Sequence, residues 1–230
     1  MDPRALTVYT SPFPKIRLGK DNDGGYVLAD VPDAQYDLLL AGGVCDDVSF
    51  EEAFCGMYGG AMCYAFDGTI ETPPVIHHPH VMFVKKNIGY HEEYDRTNLH
   101  EYIDAHSNIF VKMDIEGYEI PWFQSLTPDH MDKLTQMVVE FHFPFSDVER
   151  GVFEKLNRSH VLIHMHANNN CGVRTVKNLV MPNVFECTHL HKRYVKTLVP
   201  NRDPLPGPLD MPNVKEKDDI SLHYPPFVSW

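Results

Sequence analysis

Two pairs of ionisable side chains stand two residues apart within apolar segments of the second half of the chain. Glu140 and His142 form the first pair, and His164 and His166 form the second. If both segments are strands, the members of each pair share a face, because side chains alternate between the two faces of a strand. Asp114 closes a third apolar segment. Carboxylates and imidazoles that meet at one rim suit a divalent ion or acid–base chemistry.

The burial expected for Glu140 is the main reason to predict a partner for its charge. The neighbours of Glu140 are valines and phenylalanines, and a buried carboxylate without a partner is costly or becomes neutral. We therefore predict one divalent ion, Mn²⁺ or Mg²⁺, bound by Asp114, Glu140 and His166. A hydrogen-bonded core network without an ion, or a protonated histidine, is the alternative.

The segments that must position these side chains alternate between strand and helix patterns. Short apolar runs predict seven strands, over 36–41, 61–66, 81–85, 108–113, 136–143, 160–166 and 184–191. Amphipathic or capped stretches predict helices over 47–58, 91–106, 121–126 and 146–158. This alternation is typical of a mostly parallel sheet covered on both faces. We therefore predict one Rossmann-like α/β domain with an N-terminal arm (1–35) and a proline-rich C-terminal segment (199–230) that wraps its surface.

Ligands of such sheets lie at the carboxyl ends of the strands. The first predicted strand runs into Gly42 and Gly43, and glycines let the backbone approach a ligand closely. The second ends in Asp67, where Rossmann-like folds hold the hydroxyl groups of a ribose. Each feature alone is also typical of an ordinary turn. Together they favour a nucleotide-binding pocket at this edge of the sheet.

The fourth predicted strand and the turn after it carry the most specific string of the chain, KMDIEGYE (112–119). It resembles the motif that ends the fourth strand of FkbM-type methyltransferases. Other strings resemble one branch of that family, with viral and eukaryotic members linked to glycan modification; they are RLGKDNDGGYVL (17–28), AGGVCDDVSFE (41–51), VVEFHF (138–143), IHMHANN (163–169) and the ending around DMPN (210–213). The first loop departs from the broad class, which has a richer glycine pattern there.

The resemblance implies a class I methyltransferase fold, S-adenosylmethionine as cofactor, and O-methyl transfer to a sugar hydroxyl of a carbohydrate acceptor. The cofactor neighbours that it implies are Gly42, Gly43, Asp67 and Asp114, with Val44, Glu51 and Asn87 at the edges. A divalent ion would bind the acceptor oxygen and lower its pKa. His142 or His164 would then remove the proton, and Asp114 is the third candidate catalytic residue.

The composition and charge of the chain limit the classes of partner that it is expected to bind. The formal net charge is −12 at pH 7, and so acidic a surface repels phosphate backbones and anionic lipids. We therefore expect neither nucleic acid nor a membrane as a partner, and no apolar run reaches the length of a membrane span. Five cysteines without a CxxC pair predict reduced thiols and a cytoplasmic location, including the cytoplasm of a virus-infected host cell. The sequence leaves the oligomeric state open.

Two other functions fit the same residues. A metal-dependent hydrolase would use the acid and histidine cluster to activate water and would need no nucleotide pocket. A glycan- or metal-binding module would keep the fold without turnover. Ring side chains near the cluster either form the floor of a sugar pocket or pack in the core; they are Trp122 and the consecutive Phe143, Pro144 and Phe145.

Overall fold

The computed structural model describes residues 3–143, 147–176 and 178–229. The strands in these ranges are β1 (Lys15–Gly19), β2 (Gly25–Ala29), β3 (Leu38–Gly42), β4 (Met62–Phe66), β5 (Val81–Val84), β6 (Asn87–Ile88), β7 (Arg96–Thr97), β8 (Ile109–Met113), β9 (Leu134–His142), β10 (His160–Ala167), β11 (Val173–Val176), β12 (Leu179–Pro182) and β13 (Val184–His191). The α-helices are α1 (Ser49–Met57), α2 (His100–Ala105), α3 (Glu119–Ser125), α4 (Pro128–Lys133) and α5 (Asp147–Ser159).

Seven of the strands form a central sheet in the order β10-β13-β9-β8-β3-β4-β5. All neighbours from β9 to β5 pair in parallel. Strand β13 runs antiparallel to both of its neighbours, β9 and β10. The predicted Rossmann-like α/β fold, with a mostly parallel seven-stranded sheet, is confirmed.

Alternation along the central strands divides the core between two faces. Leu38 and Leu40 of β3 pack in one apolar cluster with side chains of α2, α3, α4 and α5. Leu39 and Ala41 point to the other face, where they join side chains of α1 and β2. Every residue of β3 is buried, which explains why this strand is a continuous apolar run. Helices therefore cover both faces, and the hairpin β1–β2 supplements α1 on the second.

The polar stretch 91–106 differs from its prediction, because only α2 is helical within it. Before α2, the Glu92 carboxylate accepts hydrogen bonds from Lys86 and from the backbone N–H of Asn98. The Asn98 side chain in turn accepts from the N–H of His100. Such local side-chain bonds compete with helix formation. The stretch contributes instead β7, which pairs in parallel with β6, and the short helix α2.

The N-terminal arm lies beside the start of the C-terminal segment. The N–H of Thr10 donates to the carbonyl of Val199, and the N–H of Asn201 donates to the carbonyl of Val8. The stretch 199–229 contains no helix, and its apolar side chains enter the core; they include Leu205, Leu222 and Phe227. No helix in the described ranges is long and apolar enough to cross a membrane.

Candidate functional site

A cavity of about 260 Å³ opens at the carboxyl ends of β3, β4 and β8. Four residues predicted to bind a cofactor line it, namely Gly43, Asp67, Asn87 and Asp114. They come from separate stretches of the chain, and parallel pairing brings the ends of these stretches to one edge of the sheet. The structure thus brings together residues that were selected by their positions after the strands.

The two glycines at the end of β3 allow the close approach that forms this edge. Gly43 has a φ of +71°, and a Cβ on it would lie 1.5 Å from the carbonyl oxygen of Asp114. A Cβ on Gly42 would lie 2.5 Å from the sulfur of Met113 and 2.6 Å from Ile88. The glycines are therefore required first by the contact between two strand ends, and that contact sets the wall of the cavity.

Asp67 organises the turn and keeps room for a ligand. Its Oδ2 accepts the N–H of Cys45 at 2.9 Å, and its Oδ1 accepts the N–H and the hydroxyl of Thr69 at 2.8 and 2.6 Å. Burial raises the pKa of Asp67, but the hydrogen bonds from Thr69 and Cys45 outweigh burial and hold the pKa below its usual range. A carboxylate has about four acceptor positions. The charged Oδ2 therefore retains capacity for a hydroxyl donor.

Two other predicted cofactor neighbours lie behind the first loop. Val44 is buried in the core beside α1. Glu51 is buried in α1, and its carboxylate lies 3.9 Å from the Nζ of Lys112. Lys112 donates a hydrogen bond to the carbonyl of Gly43 at 2.9 Å. Glu51 thus supports the loop through Lys112, and direct contact of Val44 or Glu51 with a cofactor stays a prediction.

The turn after β8 creates a second, acidic part of the site. Glu116 and Gly117 adopt positive φ values of 55° and 97°, which fold the turn back toward the start of α3. There the fully buried Glu119 accepts hydrogen bonds from the N–H groups of Ile115 and Gly117. Sequence reasoning gave Glu119 no role, although this residue is the last letter of the string KMDIEGYE.

His142, at the end of β9, faces this turn. Its Nδ1 lies 3.1 Å from Oε1 of Glu119. Its Nε2 lies 3.8 Å from Oδ1 of Asp114 and 3.3 Å from Oε2 of the exposed Glu116. Burial lowers the pKa of His142. The carboxylates of Glu119, Asp114 and Glu116 raise this pKa by more than burial lowers it, so the net shift is upward. Glu119 therefore orients the imidazole and leaves Nε2 toward the cavity residue Asp114.

Tyr26 on β2 is a further contact of Asp114 that the sequence did not reveal. The buried Tyr26 donates its hydroxyl to Oδ2 of Asp114 over 3.4 Å. Burial raises the pKa of Asp114, while Lys112 and His142 oppose the rise. Asp114 thus joins the two parts of the site, since it lines the cavity and also faces His142.

The grouping of metal-ligating side chains differs from the predicted set. Within the described ranges, one group of three has ligand atoms that all lie within 4.8 Å of one another, and it consists of Asp114, Glu119 and His142. Asp114 belonged to the predicted set, and the structure combines it with Glu119 and His142 instead of with Glu140 and His166.

Glu140 and His166 belong to a separate polar network across β9, β13 and β10. Glu140 lies opposite Glu186 and accepts a hydrogen bond from Asn168 at 2.7 Å. Burial, Asp114 and Glu186 raise the pKa of Glu140 well above its usual value. His166 lies 3.5 Å from Glu186 and 3.0 Å from Asp219. Burial lowers the pKa of His166, but Asp219 and Glu186 raise it by more, to about 10, so a cationic imidazole helps this acidic network to tolerate burial. Metal binding by Glu140 and His166 stays a prediction.

His164 contacts the N-terminal arm and the C-terminal segment. Its Nε2 lies 2.7 Å from Oδ1 of Asp210, and its Nδ1 lies 3.2 Å from the Nζ of Lys15. Both of its ring nitrogens thus face side chains away from the cavity, whereas Nε2 of His142 faces the cavity residue Asp114, so His142 is the better placed of the two candidate bases. Trp122 is fully buried and donates its indole N–H to the carbonyl of Asn98, so it packs in the core. Pro144 and Phe145 lie outside the described residues.

Comparison with known proteins adds little to this geometry. No protein-family model matches the chain, and no curated protein matches it. Among solved structures, a protein from Clostridium thermocellum that is provisionally described as an rRNA methylase aligns with 67% of this chain and 88% of its own, at 9% identity and a TM-score of 0.35. Because that likeness is weak, the functional argument rests on the site itself.

Proposed function

We propose that this protein is an S-adenosylmethionine-dependent O-methyltransferase that acts on a sugar hydroxyl of a glycan. One observation carries the proposal: the cavity at the carboxyl edge of a Rossmann-like sheet shares Asp114 with a histidine that a buried carboxylate orients. The resemblance of KMDIEGYE and the other strings to FkbM-type enzymes of the glycan-modifying branch supports the choice of substrate.

The cavity fits the cofactor by the chemistry of its lining. Asp67 offers a charged oxygen to the ribose hydroxyls, and Phe66 and Ile88 offer apolar contact to the adenine. Asn87 adds an amide that can donate and accept hydrogen bonds. The volume of about 260 Å³ is close to the lower end of small-molecule sites, roughly 300–1,000 Å³. S-adenosylmethionine, when bound, supplies an electrophilic methyl group.

The residues beside the cavity supply the proton chemistry. A sugar hydroxyl is a poor nucleophile until it loses its proton, and His142 can accept that proton at Nε2. Glu119 holds the imidazole through Nδ1 and stabilises the imidazolium that forms. The carboxylate of Glu116 is 86% exposed, so an incoming hydroxyl can displace it from Nε2.

A metal-assisted form of this chemistry fits the same three side chains. Asp114, Glu119 and His142 combine oxygen ligands with one imidazole, a set that suits Mn²⁺ or Mg²⁺ better than a closed thiolate zinc site. These residues would hold the ion, which lowers the pKa of a hydroxyl bound to it. The finding that Glu119 already accepts several hydrogen bonds favours His142 and Asp114 as the principal ligands.

Transfer of a labelled methyl group tests the proposal. We expect label from S-adenosylmethionine to appear on methyl glycosides of deoxyhexoses or on oligosaccharides, because the acidic site disfavours anionic acceptors. RNA and a pool of small carboxylic acids serve as controls. Label on RNA in preference to every sugar would contradict the substrate class. An arm with EDTA separates the two forms of the mechanism: loss of transfer that Mn²⁺ restores supports the ion, and undiminished transfer supports His142 alone.

A further inference from the structure

Phe143 stands out among the aromatic residues near the site. It directly follows His142, its side chain is 52% exposed, and its φ is +49°. A bulky residue with a left-handed backbone is an outlier, and such strain is concentrated at functional sites. The backbone of Phe143 is therefore strained, and its large apolar ring is presented to solvent next to the candidate base in the sequence.

The hairpin β11–β12 holds the Phe143 ring in place. The N–H of Phe143 donates to the carbonyl of Asn183, immediately after β12. The guanidinium of Arg174, on β11, lies 5.3 Å from the centre of the ring. Arg174 also donates to the side chain of Asn183, which donates in turn to the carbonyl of Cys171. One side of the ring is thus supported by a fixed cation, and half of the side chain remains open.

We infer that the ring of Phe143 is the platform on which the acceptor sugar stacks while one of its hydroxyls reaches Nε2 of His142. This inference rests on the proposed function. One face of a pyranose ring presents C–H groups, which pack on an aromatic ring, while the hydroxyls at its rim seek acceptors. Asp114 and Glu116 provide acceptors beside His142. Their negative charge opposes an anionic sugar, so the platform selects a neutral one.

A second exposed aromatic residue lies at the cavity itself. Tyr118 lines the cavity and is 48% exposed, and the guanidinium of Arg96 lies 5.3 Å from its ring. Tyr118 belongs to the turn that carries Glu116, whereas Phe143 belongs to the turn after β9. The turns that follow β8 and β9 thus each carry an exposed aromatic ring next to an arginine.

Saturation-transfer NMR with methyl glycosides of deoxyhexoses tests the platform without needing turnover. Phe143→Asn is the principal variant, because asparagine tolerates the left-handed backbone and removes the ring. We expect this variant to lose saturation transfer from the protein to the sugar, with the affinity for S-adenosylmethionine unchanged. In a separate assay of methyl transfer, the KM for the acceptor should rise about tenfold. Phe143→Trp keeps an aromatic ring at this position and should therefore retain binding of the sugar. Tyr94→Ala, which removes a 99% exposed ring that does not line the cavity, is the matched control and should behave as wild type.

The outcomes separate this inference from the proposed function. Glycosides methylated by Phe143→Asn with the wild-type KM overturn the platform and leave the proposed function intact. Saturation transfer that depends on Phe143, without any methyl transfer, supports the platform and contradicts the proposed function. No saturation transfer from wild-type protein to any of the glycosides overturns the platform. Melting temperatures of the variants, measured in parallel, establish that each is folded.

Discussion

Replacement of His142 by glutamine is expected to lower kcat for methyl transfer by about 10²–10⁴-fold, the contribution typical of a positioned general base. Glutamine keeps a donor that can bond to Glu119, so the turn after β8 stays in place. Since His142 does not line the cavity itself, the affinity for S-adenosylmethionine should change little. Rates from labelled cofactor, together with calorimetric affinities, measure both quantities.

The pH dependence of the wild-type rate is the companion measurement. Only the neutral imidazole accepts a proton, and the carboxylates around His142 raise its pKa despite burial. The rate should therefore be low below this pKa and rise as the pH increases through it, at a pH above the ordinary histidine value of about 6.5. His142→Gln should abolish this rise. His164→Gln serves as the control. If His164→Gln lost the rise of rate with pH and His142→Gln kept full activity, His164 would be the base.

Gly43→Ala is expected to be the most damaging single change at the cavity. The added Cβ would lie 1.5 Å from a backbone oxygen of Asp114, and a backbone atom cannot turn aside as a flexible side chain would. The positive φ of +71° adds strain, which for a residue other than glycine costs about 1–2 kcal/mol. We therefore expect a loss of more than about 2 kcal/mol in the free energy of unfolding, together with loss of cofactor binding.

Gly56→Ala is the matched control for this change. Gly56 lies in α1, and a Cβ on it would meet no atom within 4 Å, so alanine there should stabilise the helix by up to about 1 kcal/mol. Urea denaturation followed by circular dichroism measures both variants. Equal stabilities, with cofactor binding retained by Gly43→Ala, would show that the contact between the ends of β3 and β8 does not shape the cavity.

The sheet could be predicted because its strands are short apolar runs bounded by turns. The run 36–41 and the strand Leu38–Gly42 overlap closely, since a strand buried on both faces admits few polar residues. The hairpin β11–β12 was missed, because Val173–Val176 is largely exposed and carries no such run. Helix α4 was missed as well, although Thr127 and His130 form a capping box and Pro128 stands at the start of the helix.

The cavity was predictable for the same reason as the sheet, whereas the ionic partners were not. Residues that follow parallel strands meet at one edge, so Gly43 and Asp67 could be grouped from the chain alone. His164 and His166 share a strand face, but the local sequence does not show which segment of the chain covers that face. Their partners, Asp210 and Asp219, lie 46 and 53 residues further along the chain. Only the folded path of the C-terminal segment brings them back over β10.

Calorimetric titration with S-adenosylmethionine tests the central claim most directly. Wild-type protein should bind one equivalent, and cofactor at a hundred times its dissociation constant should stabilise the fold by about 2.7 kcal/mol. Asp67→Ala should weaken binding at least about tenfold, because it removes the acceptor for the ribose hydroxyls. Asp46→Ala, which removes an exposed charge from the same loop, should bind as wild type. Absence of heat and of any thermal shift at millimolar cofactor would contradict the assignment of this cavity to S-adenosylmethionine.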